Sequence, residues 1–189
     1  MEQSKSIDLS VIIVSYNVEH FLHLCLESVY AAINNFNAEI IVIDNASADN
    51  SVEMMRKKFP STRVISNVDN LGFGKANNKA AKLAKGRYVC FLNPDTIVSQ
   101  KTFEKFIQLN EANPAIGISG PQMIDGTGQF LLESKRGLPT IKAAVFKSLG
   151  LFRLSDRFFG QYYNLSLPQN QNGKTDVLAG AFMLSLIHI

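Results

Sequence analysis

Val89-Cys90-Phe91-Leu92-Asn93-Pro94-Asp95-Thr96 is a short apolar run that stops at two polar residues separated by a proline. A strand buried on both faces reads this way when it delivers side chains to the edge of a sheet. Pro94 holds the residue before it in extended geometry and helps to end the strand. Asp95 is then presented at the strand's carboxyl end, where open α/β sheets take their ligands. Residues 10–17 and 39–47 end in the same manner, so three strand ends are expected to meet around one ligand.

Outward from that stretch, strands and helices alternate. Residues 9–15 are a continuous Val- and Ile-rich run broken by Ser15-Tyr16-Asn17. The spacing of Leu22, Cys25, Leu26, Val29 and Ile33 predicts an amphipathic helix with Asn17 as its N-cap. A second buried strand over 39–44 closes in the turn-forming Asn45-Ala46-Ser47-Ala48-Asp49. A helix over 51–59 ends at Pro60, a third strand covers 63–66, and a helix over 75–85 has Gly86 as its C-cap. After the strand over 87–92, a helix over 101–113 and a strand over 116–119 follow. This grammar means a mostly parallel sheet with βαβ crossovers, an α/β class. Beyond Gly120 it changes. Asp125-Gly126 and Thr127-Gly128 predict a hairpin around 123–132. Residues 139–164 mix Phe and Tyr with Lys and Arg. They read as a helical subdomain packing on the sheet, or as a face lying on a membrane surface. A last apolar strand is expected over 176–184.

The chain has 189 residues, 46% of them hydrophobic, and a net charge of +3. That is one domain, or one domain with an extension, with enough apolar surface for a core. The mild charge does not call for nucleic acid. Cys25 and Cys90 sit in apolar patterns without metal-ligand spacing and read as buried free thiols of a reducing compartment. No apolar run approaches 18 residues, and the first seven residues are too polar for a signal sequence. The expectation is a cytoplasmic chain, with peripheral contact to the inner face of the cell membrane as the further reading of the aromatic-basic stretch.

Several positions carry chemistry. Asp44 ends a buried strand: it either accepts a ring N–H of a pyrimidine base or caps the next helix, and the residues leave both open. The loop Asn70-Leu71-Gly72-Phe73-Gly74-Lys75-Ala76-Asn77-Asn78 enters a helix. Its glycines let backbone approach a ligand, and the helix start favours anions. It fails the dinucleotide fingerprint, because Asn77 stands at the third glycine and the loop follows the third strand. Asp95 can hold Mg²⁺ or Mn²⁺ if diphosphate oxygens and waters complete the shell; otherwise Asn93-Pro94-Asp95 is a strand-end turn. Arg136 reads as part of a solvated basic loop, with a phosphate contact as the alternative. His20, His23 and His188 show no metal spacing.

Taken in order, Val14-Ser15-Tyr16-Asn17, Val42-Ile43-Asp44-Asn45-Ala46-Ser47, Asn70-Leu71-Gly72-Phe73-Gly74, Phe91-Leu92-Asn93-Pro94-Asp95 and Gly180-Ala181-Phe182-Met183 closely resemble glycosyltransferase family 2. The branch most similar is the rhamnosyltransferase-like group of bacterial envelope and capsule biosynthesis. The resemblance implies a GT-A (Rossmann-like) fold in one domain over 1–184. Its nucleotide-binding half would be 1–120, and 121–184 would be part of the acceptor-binding half. It implies a UDP- or dTDP-linked sugar donor, a divalent cation, and inversion at the anomeric carbon. The acceptor would be a polysaccharide or a lipid-linked glycan. Carried over by position, the backbone at Val14 and the ring of Tyr16 flank the base, Asp44 holds its edge, and Gly72 to Asn77 line the nucleotide. Asn93 stands where the family has the first acid of its Asp-x-Asp motif, and Asp95 matches the metal-binding last residue. The family's catalytic base lies after the 180–183 strand. Here Ser185-Leu186-Ile187-His188-Ile189 follows instead, so no base is assigned. The resemblance implies a C-terminally truncated enzyme of weak or no activity, with 185–189 as a non-native tail. A non-catalytic nucleotide-sugar-binding domain and a nucleotidyltransferase are the alternatives. The broken fingerprint disfavours a dehydrogenase.

Overall fold

A computed structural model describes residues 6–34, 36–131, 134–136 and 171–186. The chain divides into two compact units, Met1–Ser119 with Gly180–Ile189, and Gly120–Ala179. The aromatic-basic stretch over 139–164 lies outside the described residues.

The first unit holds strands β1 (Leu9–Ser15), β2 (Ala38–Asp44), β3 (Arg63–Ser66), β4 (Tyr88–Leu92) and β5 (Ile118–Ser119), and helices α1 (Glu19–Ala32), α2 (Ser51–Lys58), α3 (Phe73–Ala81) and α4 (Thr102–Ala112). In the second unit, β6 (Lys135–Arg136) and β7 (Val177–Leu178) form a two-stranded antiparallel sheet. Strand β8 (Phe182–Leu186) returns to the first unit. The main sheet has the order β3-β2-β1-β4-β8-β5. β1 pairs in parallel with β2 and β4, and β2 with β3. β8 runs antiparallel between β4 and β5.

Alternation along the central strands explains the layers. Val11 and Ile13 of β1, with Val42 of β2 and Cys90 and Leu92 of β4, face Leu22, Cys25 and Leu26 of α1, Met55 of α2 and Phe103 of α4. Ile12, Val14, Ile41 and Ile43 face Ala76 and Ala80 of α3 on the other side. Both faces are covered, which is why these strands read as unbroken apolar runs. Burying each such side chain contributes about 1.5–3 kcal/mol.

The one polar side chain within β1 before its end is accounted for. The buried Ser10 hydroxyl donates to Glu39 Oε1 at 2.6 Å and accepts from the Gly86 N–H at 2.8 Å. The Lys85 N–H donates to the same carboxylate oxygen at 2.6 Å. This corrects the role expected of Gly86. α3 ends at Ala81, and Gly86 instead lets the chain pass against β1. A Cβ there would lie 2.5 Å from Ser10 N and 2.6 Å from Leu9 C.

Three other expectations change. Asn17 is not the N-cap of α1; that position is Val18, which makes no side-chain cap bond. The strand expected over 176–184 is two strands in two sheets, broken between Leu178 and Phe182. β8 also runs on through Ser185 and Leu186, which pair with Val89 and Tyr88. Arg136 falls on β6 opposite Val177, not in an open loop. The hairpin near 123–132 is present. Ile124 bridges Phe130, and the Asp125 carboxylate accepts from the Thr127 hydroxyl at 2.7 Å and from the Thr127 and Gln129 N–H groups.

Because two of the close atoms at Gly86 are backbone, Gly86→Ala is expected to destabilise the fold by about 1–3 kcal/mol. Denaturant unfolding checks this: the midpoint should fall, with the slope unchanged.

Candidate functional site

The parallel register sets β1 and β2 to end together, Ser15 beside Asp44 and Asp44 beside Ser66. Ile13 stands beside Leu92, so Asn93 to Asp95 emerge at the same edge. From β1 the chain moves outward to β2 and β3 and then crosses to β4 on the other side of β1. The strand order reverses there, and open α/β sheets have their ligand crevice at that point.

The loops leaving the edge hold one another. The Asn45 N–H donates to the Ser15 carbonyl at 2.8 Å. The Asn17 N–H donates to Ser47 Oγ at 3.0 Å, and Asn17 Oδ1 accepts from the Ala48 N–H at 2.7 Å. Both loops contain a left-handed residue, Asn17 at φ 53° and Ala46 at φ 65°. Asparagine tolerates that region, while alanine is strained there by about 1–2 kcal/mol. Asp49 supplies the missing cap. Its Oδ2 accepts from the Glu19 N–H at 2.9 Å at the start of α1, and its Oδ1 from the Ser51 N–H at 3.1 Å at the start of α2. Partial burial pushes this carboxyl up, but the polar Ser51 side chain nearby and the hydrogen bonds from the Glu19 and Ser51 N–H groups outweigh it, and Asp49 lies below its ordinary value.

Asp44 is therefore not a helix cap. It is 2% exposed. Its Oδ2 accepts from the Ser47 N–H at 3.2 Å, whereas Oδ1 is buried without a hydrogen-bond partner among the described residues. The Ser15 hydroxyl beside it on the sheet is also buried and unpartnered. Leaving a buried acceptor unpaired costs about 1–3 kcal/mol. Val14 is buried on the opposite face, and Tyr16 is half-exposed just past the strand.

The glycine loop is tied to the same edge by residues that sequence reading passed over. Asn45 Oδ1 accepts from Asn67 Nδ2 at 2.8 Å and from the Leu71 N–H at 3.4 Å. The Lys79 ammonium donates to Asn67 Oδ1 at 2.5 Å. Their clue was position alone, one residue beyond β2 and one beyond β3. Gly72 is at φ 76°, immediately before α3, with open space where a Cβ would stand. Asn77 is buried on α3, and its amide donates to the Phe73 carbonyl at 3.0 Å.

Beyond β4, the Asn93 N–H donates to the Ala181 carbonyl at 2.9 Å. Asp95 is exposed, and among the described residues no hydrogen bond or ion pair engages its carboxylate. Cys25 and Cys90 are free and buried. Burial, with the negative Asp95 nearby, pushes the Cys25 thiol up to about 12. Burial also holds Cys90 well above its usual value, so both stay protonated thiols. Among the described residues no cluster of three or more His, Cys, Asp or Glu gathers to hold a metal, and no helix is long and apolar enough to cross a membrane. A lone exposed carboxylate fits Mg²⁺ or Mn²⁺ in the shared manner, with substrate oxygens and water filling the shell.

The sequence model of glycosyl transferase family 2 matches residues 10–182. Over 110 residues the chain is 36% identical to the minor teichoic acid biosynthesis protein GgaB of Bacillus subtilis (strain 168), covering 56% of this chain and 12% of that protein. It is 32% identical over 133 residues to the uncharacterized glycosyltransferase MJ1057 of Methanocaldococcus jannaschii, covering 67% of this chain and 46% of that one. The chain thus spans less than half the length of these relatives. The crystal structure of S. aureus TarS 1-349 superposes with a TM-score of 0.58 at 24% identity, over 72% of this chain and 40% of that chain. Mannosyltransferase PcManGT from Pyrobaculum calidifontis, in complex with GDP-Man and Mn²⁺, gives 0.56 at 20% identity, over 65% and 37%. These likenesses show that the fold is GT-A.

The double cap gives a pH test. Asp49→Ala is expected to cost about 0.5–2 kcal/mol at neutral pH. A carboxyl held below its ordinary value stabilises fully above that value and ceases to as pH falls through the folded one. The difference in unfolding midpoint between the two proteins should stay constant near neutrality and shrink below about pH 4.

Proposed function

Because the chain belongs to glycosyl transferase family 2, we propose that it binds a nucleoside-diphosphate sugar at the carboxyl edge of the main sheet. The sugar is passed, with inversion at its anomeric carbon, to a polysaccharide or lipid-linked acceptor in cell-envelope biosynthesis. The observation that carries this reading is Asp44, with one buried carboxylate oxygen left without a partner at the strand edge. A ring N–H of uracil or thymine supplies the bond it lacks. The backbone at Val14 and the ring of Tyr16 flank the base, and that half-exposed ring offers a stacking face. The loop from Gly72 to Asn77 lines the nucleotide, and Asn93 stands beside the diphosphate.

Charge supports a divalent cation. Asp44, Asp49 and Asp95 bring three carboxylates to this edge, and Lys79 is held by Asn67. A diphosphate arriving there needs its charge offset. Asp95 is the residue that would hold Mg²⁺ or Mn²⁺, which would supply charge stabilisation for a departing diphosphate. The solved relatives lend support. PcManGT is in complex with GDP-Man and Mn²⁺, and TarS 1-349 with UDP-GlcNAc and with UDP. The teichoic acid role in the name of GgaB favours a wall polysaccharide as the acceptor's class. A rhamnose donor rests on the sequence resemblance, as do the division at residue 120 and a cytoplasmic site of action at the inner membrane face.

Calorimetric titration with UDP, dTDP and GDP, with and without Mn²⁺, tests the reading. UDP or dTDP should bind more tightly with Mn²⁺. Asp95→Ala should remove the metal dependence. Asp44→Ala should weaken binding by about 1.5–3 kcal/mol, the worth of a hydrogen bond to a charged group, and level the preference among bases. Binding unaltered by either substitution, or no binding at all, would overturn the proposal.

A further inference from the structure

The loop that carries Asp95 is fastened from behind by one face of α1. Cys25 and Ser28 stand one turn apart on that helix, where side chains three residues apart are neighbours. The Cys25 thiol donates to the Asn93 carbonyl at 3.6 Å. The Ser28 hydroxyl donates to the Cys25 carbonyl at 2.7 Å, which leaves its oxygen turned to accept the Val98 N–H at 3.1 Å. Val98 is buried, so that N–H has no ready substitute in water. The two contacts grip the loop at both ends, five residues apart. Between them, the Thr96 N–H closes a turn onto the Asn93 carbonyl at 3.2 Å. Ile97 is 70% exposed and packs little. Among the described residues Asp95 has no polar partner of its own, and it takes its place from these anchors and from the Asn93–Ala181 bond.

We propose that Cys25 and Ser28 are positioning residues that hold Asp95 where it meets a divalent cation and a nucleoside diphosphate. The proposal rests on the reading of Asp95 given above. Ser28 has the larger part, because its loss strands a buried N–H, whereas the Asn93 carbonyl keeps the Thr96 N–H when the thiol is gone. Groups that orient a metal ligand without touching the metal are worth about 10- to 100-fold in metal affinity.

The test is Mn²⁺ affinity in the presence of UDP, read from the free Mn²⁺ signal in electron paramagnetic resonance. Metal-free UDP affinity and thermal unfolding are measured alongside. Ser28→Ala should weaken Mn²⁺ binding about 10- to 100-fold, with metal-free UDP binding unchanged. Ser28→Thr, which keeps the hydroxyl, should restore it. Cys25→Val, close in volume but without a donor, should give a smaller loss of the same kind. Mn²⁺ affinity unchanged in folded Ser28→Ala, or lost in step with metal-free UDP affinity, would overturn the proposal. If Ser28→Ala does not fold, Cys25→Val decides by the same criterion. Asp95→Ala separates the two levels. If it leaves Mn²⁺ binding intact, the reading of Asp95 itself fails. If it abolishes Mn²⁺ binding while the α1 variants leave Mn²⁺ affinity unchanged, only the positioning role fails.

Discussion

The parallel register that sets Ser15 beside Asp44 is the constraint from which the rest of this edge follows. β1 and the inner part of β2 are buried on both faces, so polar chemistry has almost no place along their length. It is forced to the carboxyl end, and the ends are level. The ladder then runs one residue past each strand: Asn45 N–H reaches the Ser15 carbonyl and Asn67 N–H the Asp44 carbonyl, both at 2.8 Å. Each loop therefore begins as an extension of the sheet. Functional side chains on such loops inherit the precision of the strands beneath them.

Asp49 has a wider consequence than holding two helices. The start of α1 follows β1 directly, the place where dinucleotide-binding sheets seat a phosphate on a helix N-terminus. Here a carboxylate already accepts the Glu19 N–H. One donor of that helix start is thus engaged from within the fold, and the carboxylate sets a negative charge at the positive end of the helix. The failed glycine fingerprint and this carboxylate both set the edge apart from a dinucleotide-binding sheet.

Strand ends were legible because burial on two faces makes an apolar run stop abruptly at the first polar residue. Ser15, Asp44 and Asn93 all stand out that way. Helix ends were less so. A cap was sought beside α1, but the carboxylate that serves it is thirty residues on in sequence, in a loop brought near only by the β1–β2 pairing. Gly86 carried a true signal with the wrong cause: the glycine is required by backbone approaching within 3 Å, not by a helix end. The run from 176 to 184 stayed apolar while its pairing partner changed from β6 to β4 and β5, and hydropathy does not record partners. That Asp44 does not cap a helix also needed three dimensions. It turned on whether Asp49 had already taken the cap.

Local departures from low-energy structure recur where β1 and β2 end. Ser15 Oγ and Asp44 Oδ1 are buried without hydrogen bonds on paired residues. Asn17 and Ala46 hold positive φ two residues further on. The Ser10–Glu39–Gly86 cluster shows the contrast at the other end of the same two strands, where a buried hydroxyl both donates and accepts and one oxygen of its carboxylate partner takes two hydrogen bonds. A sheet that satisfies its polar groups at one end and leaves them open at the other is not loosely packed; the strain is placed. Unpaired buried acceptors persist when the surrounding structure over-determines them. Here the over-determining parts are the β1–β2 ladder, the Asn17–Ser47 and Asn17–Ala48 clasp, and the shared Asp49 cap. Those same contacts hold Asp44 in place with Oδ1 unpaired among the described residues, the feature on which the proposed base contact rests.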